Sequence, residues 1–265
     1  MRIKCKLLKK DDLDRYYSAA GPQAVEDIYK HNHVFWTTRN TTDMSDECKK
    51  NIIDAQVSPK TPYNRCAHEK LLQIFAEESS KGSFSILEIG AANGTVMEVL
   101  KSKFPKPKLT YVGFECLPIL AEDFRRKYPD QTIHVGTAED FVSKEKSFFG
   151  PVPFTLFYAY AVFLMIKPDL VRAVLRKAAG LTDRFLIFDI LDASGVELGS
   201  DETLVIAMPN RSVFWFVHPW EDYFAEIGFK YIEKKVARVT DEEAVSPLLD
   251  HQNQRGFGYV YAVRE

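Results

Sequence analysis

The sequence predicts an α/β fold: a seven-stranded, mainly parallel sheet with helices on both faces, its last strand antiparallel, behind an N-terminal helical cap. Three observations lead there. From residue 81 onward, short β-branched or aromatic runs alternate with helix-length stretches, as in strand–helix–strand units. The last two such runs are separated only by a polar loop, Thr240–Arg255, and so pair antiparallel. Residues 1–80 lack the alternation and read as helical.

Strands are predicted at Ser85–Ile89, Leu109–Glu115, Gln131–Val135, Phe154–Tyr160, Arg184–Asp189, Lys230–Val239 and Phe257–Arg264. Helices are predicted at Thr95–Phe104, Leu117–Tyr128, Pro168–Ala179 and Trp220–Ile227. In the first part, Leu7, Leu8, Leu13, Tyr16 and Tyr17 keep helical spacing. Gln23–Tyr29 and Met44–Val57 read as helices, the latter capped by Thr42 or Ser45. Asn64–Glu78 carries Leu71, Leu72, Ile74 and Phe75 on one face and is stopped by Lys81-Gly82-Ser83. The expected division is therefore 1–80, a helical cap and substrate region, and 81–265, a ligand-binding domain.

Composition narrows the function classes. The chain has 265 residues, 46% hydrophobic and 27% charged. It is long enough to bury roughly 70–75% of its unfolded surface without a disulfide or metal. A net charge of −2 argues against a general nucleic-acid surface. The basic runs Lys6–Lys10 and Lys101–Lys108 read as solvated loops or a local patch. Cys5, Cys48, Cys66 and Cys116 show no Cys-x-x-Cys spacing, against a zinc site and in favour of a reducing compartment. The N-terminus is charged from Arg2 onward, and the longest apolar run, around Pro151–Ile166, is short and tyrosine-rich. Neither a signal peptide nor a membrane span is expected, and the cytoplasm is the expected location.

The informative segment is Ile86-Leu87-Glu88-Ile89-Gly90-Ala91-Ala92-Asn93-Gly94, where a strand ends and a helix begins. In an open parallel sheet, ligands bind at such carboxyl ends. Gly90 lets backbone approach a ligand and Gly94 permits close packing at the helix start. Position 92 is Ala, so the dinucleotide fingerprint G-x-G-x-x-G is not met. The next strand, Tyr111-Val112-Gly113-Phe114-Glu115, ends in a carboxylate about 20 residues on, where a ribose-binding acid is expected. The third ends in Val135-Gly136-Thr137-Ala138-Glu139-Asp140, a short turn whose acid could face an adenine amino group. Each alone also reads as a packing turn or a helix cap; three in order at consecutive strand ends point to a ligand.

This series resembles class I, Rossmann-like S-adenosylmethionine-dependent methyltransferases over about Ser83–Glu265. The resemblance implies S-adenosylmethionine as cofactor and S-adenosylhomocysteine as product. It places Glu88 and Gly90 on the methionine side, Glu115 at the ribose, and Ala138 and Glu139 near the adenine, with Ala91, Asn93, Gly94, Cys116 and Thr137 also in the cofactor-binding set. Tyr158 joins the cofactor set from the fourth strand. Two departures stand out: Thr137 follows the third-strand glycine, and Phe154-Thr155 replaces the family's Phe-Asp.

The reaction needs an aligned acceptor, exclusion of water and, for some acceptors, removal of a proton. Candidates are Tyr160 and Asp189 at the fourth and fifth strand ends, and His218 in Phe214-Trp215-Phe216-Val217-His218-Pro219-Trp220. That aromatic segment closes an unusually long link, 191–220, and suggests a substrate wall. His218 titrates near neutrality when unperturbed and is the expected base; its other reading is a cap for the next helix. Tyr158 and Tyr160 read equally as core aromatics, and Asp189 as a loop cap. His31 and His33 could reach an acceptor from the cap. His251 ranks below His218, and His68 and His134 read as structural. No metal is expected. The expected acceptor is a small molecule methylated on oxygen, a hydroxyl or carboxylate. The absence of an Asn-Pro-Pro-Tyr-type tetrapeptide, with Tyr158-Ala159-Tyr160-Ala161 in its place, disfavours base amino groups and glutamine amides. A protein or peptide methyltransferase, a non-methylating cofactor-binding protein and a cyclase remain alternatives. The cap and exposed aromatics leave room for a homodimer.

Overall fold

Every residue of Phe84–Ile89 is buried except half-buried Ser85, so this strand needs cover on both faces. The computed structural model describes residues 6–8, 17–37, 62–104, 109–191, 198–207, 214–236 and 256–264. In chain order they form β1 (Lys6–Leu8), β2 (Tyr17–Ala20), α1 (Pro22–Thr37), α2 (Pro62–Ser79), β3 (Phe84–Ile89), α3 (Thr95–Lys103), β4 (Leu109–Glu115), α4 (Pro118–Lys127), β5 (Thr132–Val135) and α5 (Ala138–Ser143). There follow β6 (Leu156–Tyr160), α6 (Pro168–Ala179), β7 (Arg184–Ile190), β8 (Thr203–Ala207), β9 (Phe214–Phe216), α7 (Trp220–Glu226), β10 (Phe229–Val236) and β11 (Phe257–Arg264).

The main sheet has seven strands in the order β10-β11-β7-β6-β3-β4-β5. β11 alone runs against its neighbours, β7 and β10; the pairs β7–β6, β6–β3, β3–β4 and β4–β5 are parallel. The fold class expected from the sequence is therefore observed. One face packs on Leu71, Phe75, Val96, Leu100 and Phe124 of α2, α3 and α4. The other packs on Val171, Val174 and Leu175 of α6 and Phe224 of α7. After β5 the chain returns to the other side of β3 to form β6, so strand order reverses at the β3–β6 boundary, where such sheets bind ligands.

A second sheet departs from the sequence reading. β1, β2, β8 and β9 form a four-stranded antiparallel sheet. Leu7, Leu8 and Tyr17 lie on strands rather than on a helix, Leu13 and Tyr16 lie outside the described residues, and the 191–220 link carries two strands. Strands of three to five residues are too short to show a period of two, and β2 finds its partner in the far half of the chain. Helix α1 continues past Tyr29 to Thr37. β6 starts at Leu156 because Phe154 makes only an isolated bridge to Thr182. Met44–Val57, Thr240–Arg255 and His251 lie outside the described residues. Among the described residues no helix is long and apolar enough to cross a membrane.

Candidate functional site

The glycine turn after β3 forms one wall of a cavity at the carboxyl edge of the sheet. The Gly90 and Ala91 N–H groups both donate to the Phe114 carbonyl, at 2.8 and 3.0 Å, which folds the turn over β4. Gly90 has φ +74°, and a Cβ there would overlap Val162 Cγ2. Gly94 caps α3 with φ +98°. Ala92, which interrupts the dinucleotide pattern, itself has φ +47°, a left-handed conformation that glycine adopts more readily. Gly90 and Ala92 face the cavity. Ala91, Asn93 and Gly94 do not: Ala91 is buried, the Asn93 amide donates to Asp123 at 3.2 Å, and Gly94 is the helix cap. They shape the turn from behind.

Glu115 lines the cavity at the end of β4. Its Oε2 accepts the Ala92 N–H and its Oε1 the Leu117 N–H, both at 2.8 Å. Burial raises its pKa, opposed by those two amides. Glu88 is 2% exposed and lies behind the wall, where the Tyr111 hydroxyl donates to it. Burial pushes its pKa up to about 8, against the pull of that hydroxyl. This corrects the expectation that Glu88 sits on the ligand side: the β4 tyrosine reaches across and occupies it. Gly113 makes that reach fit, since a Cβ there would lie 3.0 Å from the Tyr111 hydroxyl and 2.9 Å from Ala91 Cβ.

At the third strand end Thr137, Ala138 and Glu139 all line the cavity. A helix, α5, stands where a turn was expected. Thr137 Oγ1 accepts the Asp140 N–H at 3.3 Å and Asp140 accepts the Thr137 N–H at 2.9 Å, a reciprocal cap. That backbone bond is the main cause of Asp140's lowered pKa. Cys116 also lines the cavity, and burial raises its pKa, keeping it a thiol. The Phe154-Thr155 departure bears on the other end of the sheet: Thr155 and Ser85 exchange backbone-to-hydroxyl bonds at 2.9 and 3.1 Å.

The opposite wall is α1, through Tyr29, Asn32, His33, Trp36 and Thr37. These share one helix face. Only His33 was singled out from the sequence; ending the helix at Tyr29 hid the i, i+4, i+7 series that would have revealed the rest. Asn32 pins α1 to β9: its Nδ2 donates to the Phe214 carbonyl at 2.7 Å and its Oδ1 accepts the Phe214 N–H at 3.4 Å. Lys167 and Glu26 pair at 2.6 Å. The Tyr29 hydroxyl donates to Glu139, joining α1 to α5 across the cavity.

The floor is the turn after β6, with Tyr160, Ala161, Val162, Met165 and Ile166. Tyr160 stacks on Phe188, centroids 4.5 Å apart, and on His68 at 5.8 Å. The remaining candidates lie elsewhere. Tyr158 is fully buried on the sheet face that holds Glu88. Asp189 is wholly buried, its Oδ1 accepts the Ile190 N–H at 2.7 Å, and burial raises its pKa well above the carboxylate range. His218 is buried behind the floor; its Nε2 lies 2.9 Å from the Phe163 carbonyl and its Nδ1 3.4 Å from the Tyr223 hydroxyl. Nε2–H therefore donates to Phe163, and Nδ1 accepts from Tyr223. Burial lowers the His218 pKa to about 4. His218 is thus neither a cavity-facing base nor a side-chain cap of α7; it anchors the turn that forms the floor. The cavity enclosed by these walls has a volume of about 190 Å³ and opens to solvent.

No protein-family model matches the chain, and no curated protein matches it in sequence. Its fold does match solved structures. A Burkholderia thailandensis 1,6-didemethyltoxoflavin-N1-methyltransferase, with its substrate and S-adenosylhomocysteine bound, superposes with TM-score 0.56 at 11% identity, covering 97% of this chain and 98% of that one. The magnesium protoporphyrin IX methyltransferase of Synechocystis, with bound S-adenosylhomocysteine, gives 0.55 at 8% identity, covering 89% and 100%. The N-methyltransferase NodS of Bradyrhizobium japonicum, also with S-adenosylhomocysteine, gives 0.54 at 11% identity, covering 82% and 97%. The chain has the class I methyltransferase fold.

Proposed function

We propose that this protein is an S-adenosylmethionine-dependent methyltransferase acting on a small molecule. The observation that carries the reading is that three consecutive strand ends, at Gly90 and Ala92, at Glu115 and at Thr137–Glu139, line one cavity at the point where strand order reverses. The residues suit the cofactor part by part. Glu115 offers carboxylate oxygens for a ribose diol, Ala138 and Glu139 stand where an adenine edge would lie, and the glycine turn brings backbone to the amino-acid end. Bound cofactor supplies a methyl group on a sulfonium. The chain's part is to hold the acceptor in line and take up its proton.

For that proton the reading moves from His218 to His33, the imidazole that lines the cavity. With a hydroxyl acceptor, the bound cofactor would supply the methyl group and be left as a thioether, and His33 would take up the hydroxyl proton. The solved neighbours include both N-methyltransferases and a porphyrin methyltransferase, so oxygen as the acceptor atom rests on the sequence reading. Isothermal titration with S-adenosylhomocysteine, S-adenosylmethionine and NADH tests the cofactor class. Saturable one-to-one binding of the first two and none of NADH is expected; NADH binding with no response to the others would replace the methyltransferase reading with a nicotinamide one.

A further inference from the structure

The two halves of the cavity differ in chemistry. Its charged side chains among the described residues, Glu115 and Glu139, both lie on the strand-end side, and neither Lys nor Arg lines it. The ammonium of Lys167, 5.3 Å from the centroid of the Tyr29 ring, is held by Glu26 at 2.6 Å. The other half, between α1 and the turn after β6, presents the rings of Tyr29, His33, Trp36 and Tyr160 and the apolar Val162 and Met165. Two further polar groups on that α1 face are already committed: the Asn32 amide to the Phe214 backbone, and the Thr37 hydroxyl to the His33 carbonyl at 2.8 Å.

From this division we infer the class of acceptor: a neutral, planar, largely apolar molecule with one O–H or N–H to lose, rather than a carboxylate or phosphate. The inference rests on the methyltransferase reading and deepens it. A flat ring gains from offset or edge contacts with the four rings. An anion entering here would lose its hydration beside two carboxylates, with no cation from the described residues to replace it. Since no lysine or arginine among the described residues lines the cavity, the positive partner it would find there is the cofactor's own sulfonium. Complexes with S-adenosylhomocysteine lack that charge and isolate the contribution of this chain.

The test uses the whole protein saturated with S-adenosylhomocysteine at pH 7.5, with 1-naphthol and 1-naphthoate as probes of equal ring size. Binding is read by calorimetry and by quenching of tryptophan fluorescence, for which Trp36 is the reporter on the cavity wall. The naphthol should bind at least ten-fold more tightly than the naphthoate. Equal or tighter binding of the naphthoate overturns the inference, as does failure of both probes to bind the loaded protein. Failure to bind S-adenosylhomocysteine in the first place overturns the methyltransferase reading instead.

Discussion

Replacing His218 by Leu removes the donor to the Phe163 carbonyl while keeping an apolar side chain in a fully buried site. The orphaned carbonyl should cost about 1–3 kcal/mol, and the longer contact to the Tyr223 hydroxyl under about 1 kcal/mol more. A total near 2–3 kcal/mol corresponds to a fall in melting temperature of roughly 4–10 °C for a chain of this size. His218→Gln, whose amide can donate from near the Nε2 position, should recover most of it. The pH dependence adds a signature. The folded pKa, about 4, lies below the ordinary 6.5, so the unfolded chain binds the extra proton. His218 therefore costs nothing above about pH 6.5, and stability falls as pH drops from there to about 4. Over that window the loss approaches about 3 kcal/mol. Glu88 and Asp189, with raised pKa values, slope the opposite way. The difference between parent and Gln variant isolates the histidine, with urea titrations at pH 7 and pH 5 as the assay. A Leu variant as stable as the parent, or a difference that does not change with pH, would refute the anchoring role.

Further consequences follow from the same geometry. Gly90→Ala puts a Cβ against Val162 at a positive φ; affinity for S-adenosylhomocysteine should fall at least ten-fold while far-UV circular dichroism stays native, and parent-like affinity would show the turn has room. Tyr29→Phe and Glu139→Gln should each lower stability by about 0.5–1.5 kcal/mol, with the double variant no worse than either single one; fully additive losses would mean the two side chains do not act together. Because Glu88 has its pKa raised to about 8 from 4.5 by burial, the folded state keeps its proton longer than the unfolded one. Its stabilising contribution is complete below about pH 4.5 and is lost as pH climbs through 8. Glu88→Gln should flatten the parent's decline in stability between pH 6 and pH 9, and an unchanged slope would place that titration elsewhere.

The parallel sheet was legible because its strands are buried on both faces and flanked by amphipathic helices, as with Leu87, Val112, Phe157 and Phe185. The strand ends were legible because tight turns there leave a fixed residue grammar: a glycine at Gly90, an acid at Glu115, a short acidic turn at Gly136–Asp140. What the sequence hid depends on distant partners. Nothing local announces that Tyr17–Ala20 pairs with Thr203–Ala207, or that α1 runs on to bring Trp36 to the cavity. His218 misled because its place in an aromatic segment at the end of a long link and its neutral-range free pKa suggest a base, whereas burial depends on Phe163 and Tyr223 packing around it. Glu88 misled in the same way: its position in the motif was right, but its hydroxyl partner comes from the neighbouring strand.

The central claim is that the strand-end cavity holds the cofactor through Glu115. Its most direct test is calorimetric titration of S-adenosylhomocysteine into the parent, Glu115→Gln and Glu115→Ala proteins, each first checked for native circular dichroism. Loss of a charged hydrogen-bond partner for the ribose should cost about 1–3 kcal/mol, a roughly 5- to 150-fold weaker dissociation constant, with Ala worse than Gln. Unchanged affinity in folded Glu115→Ala would contradict the account.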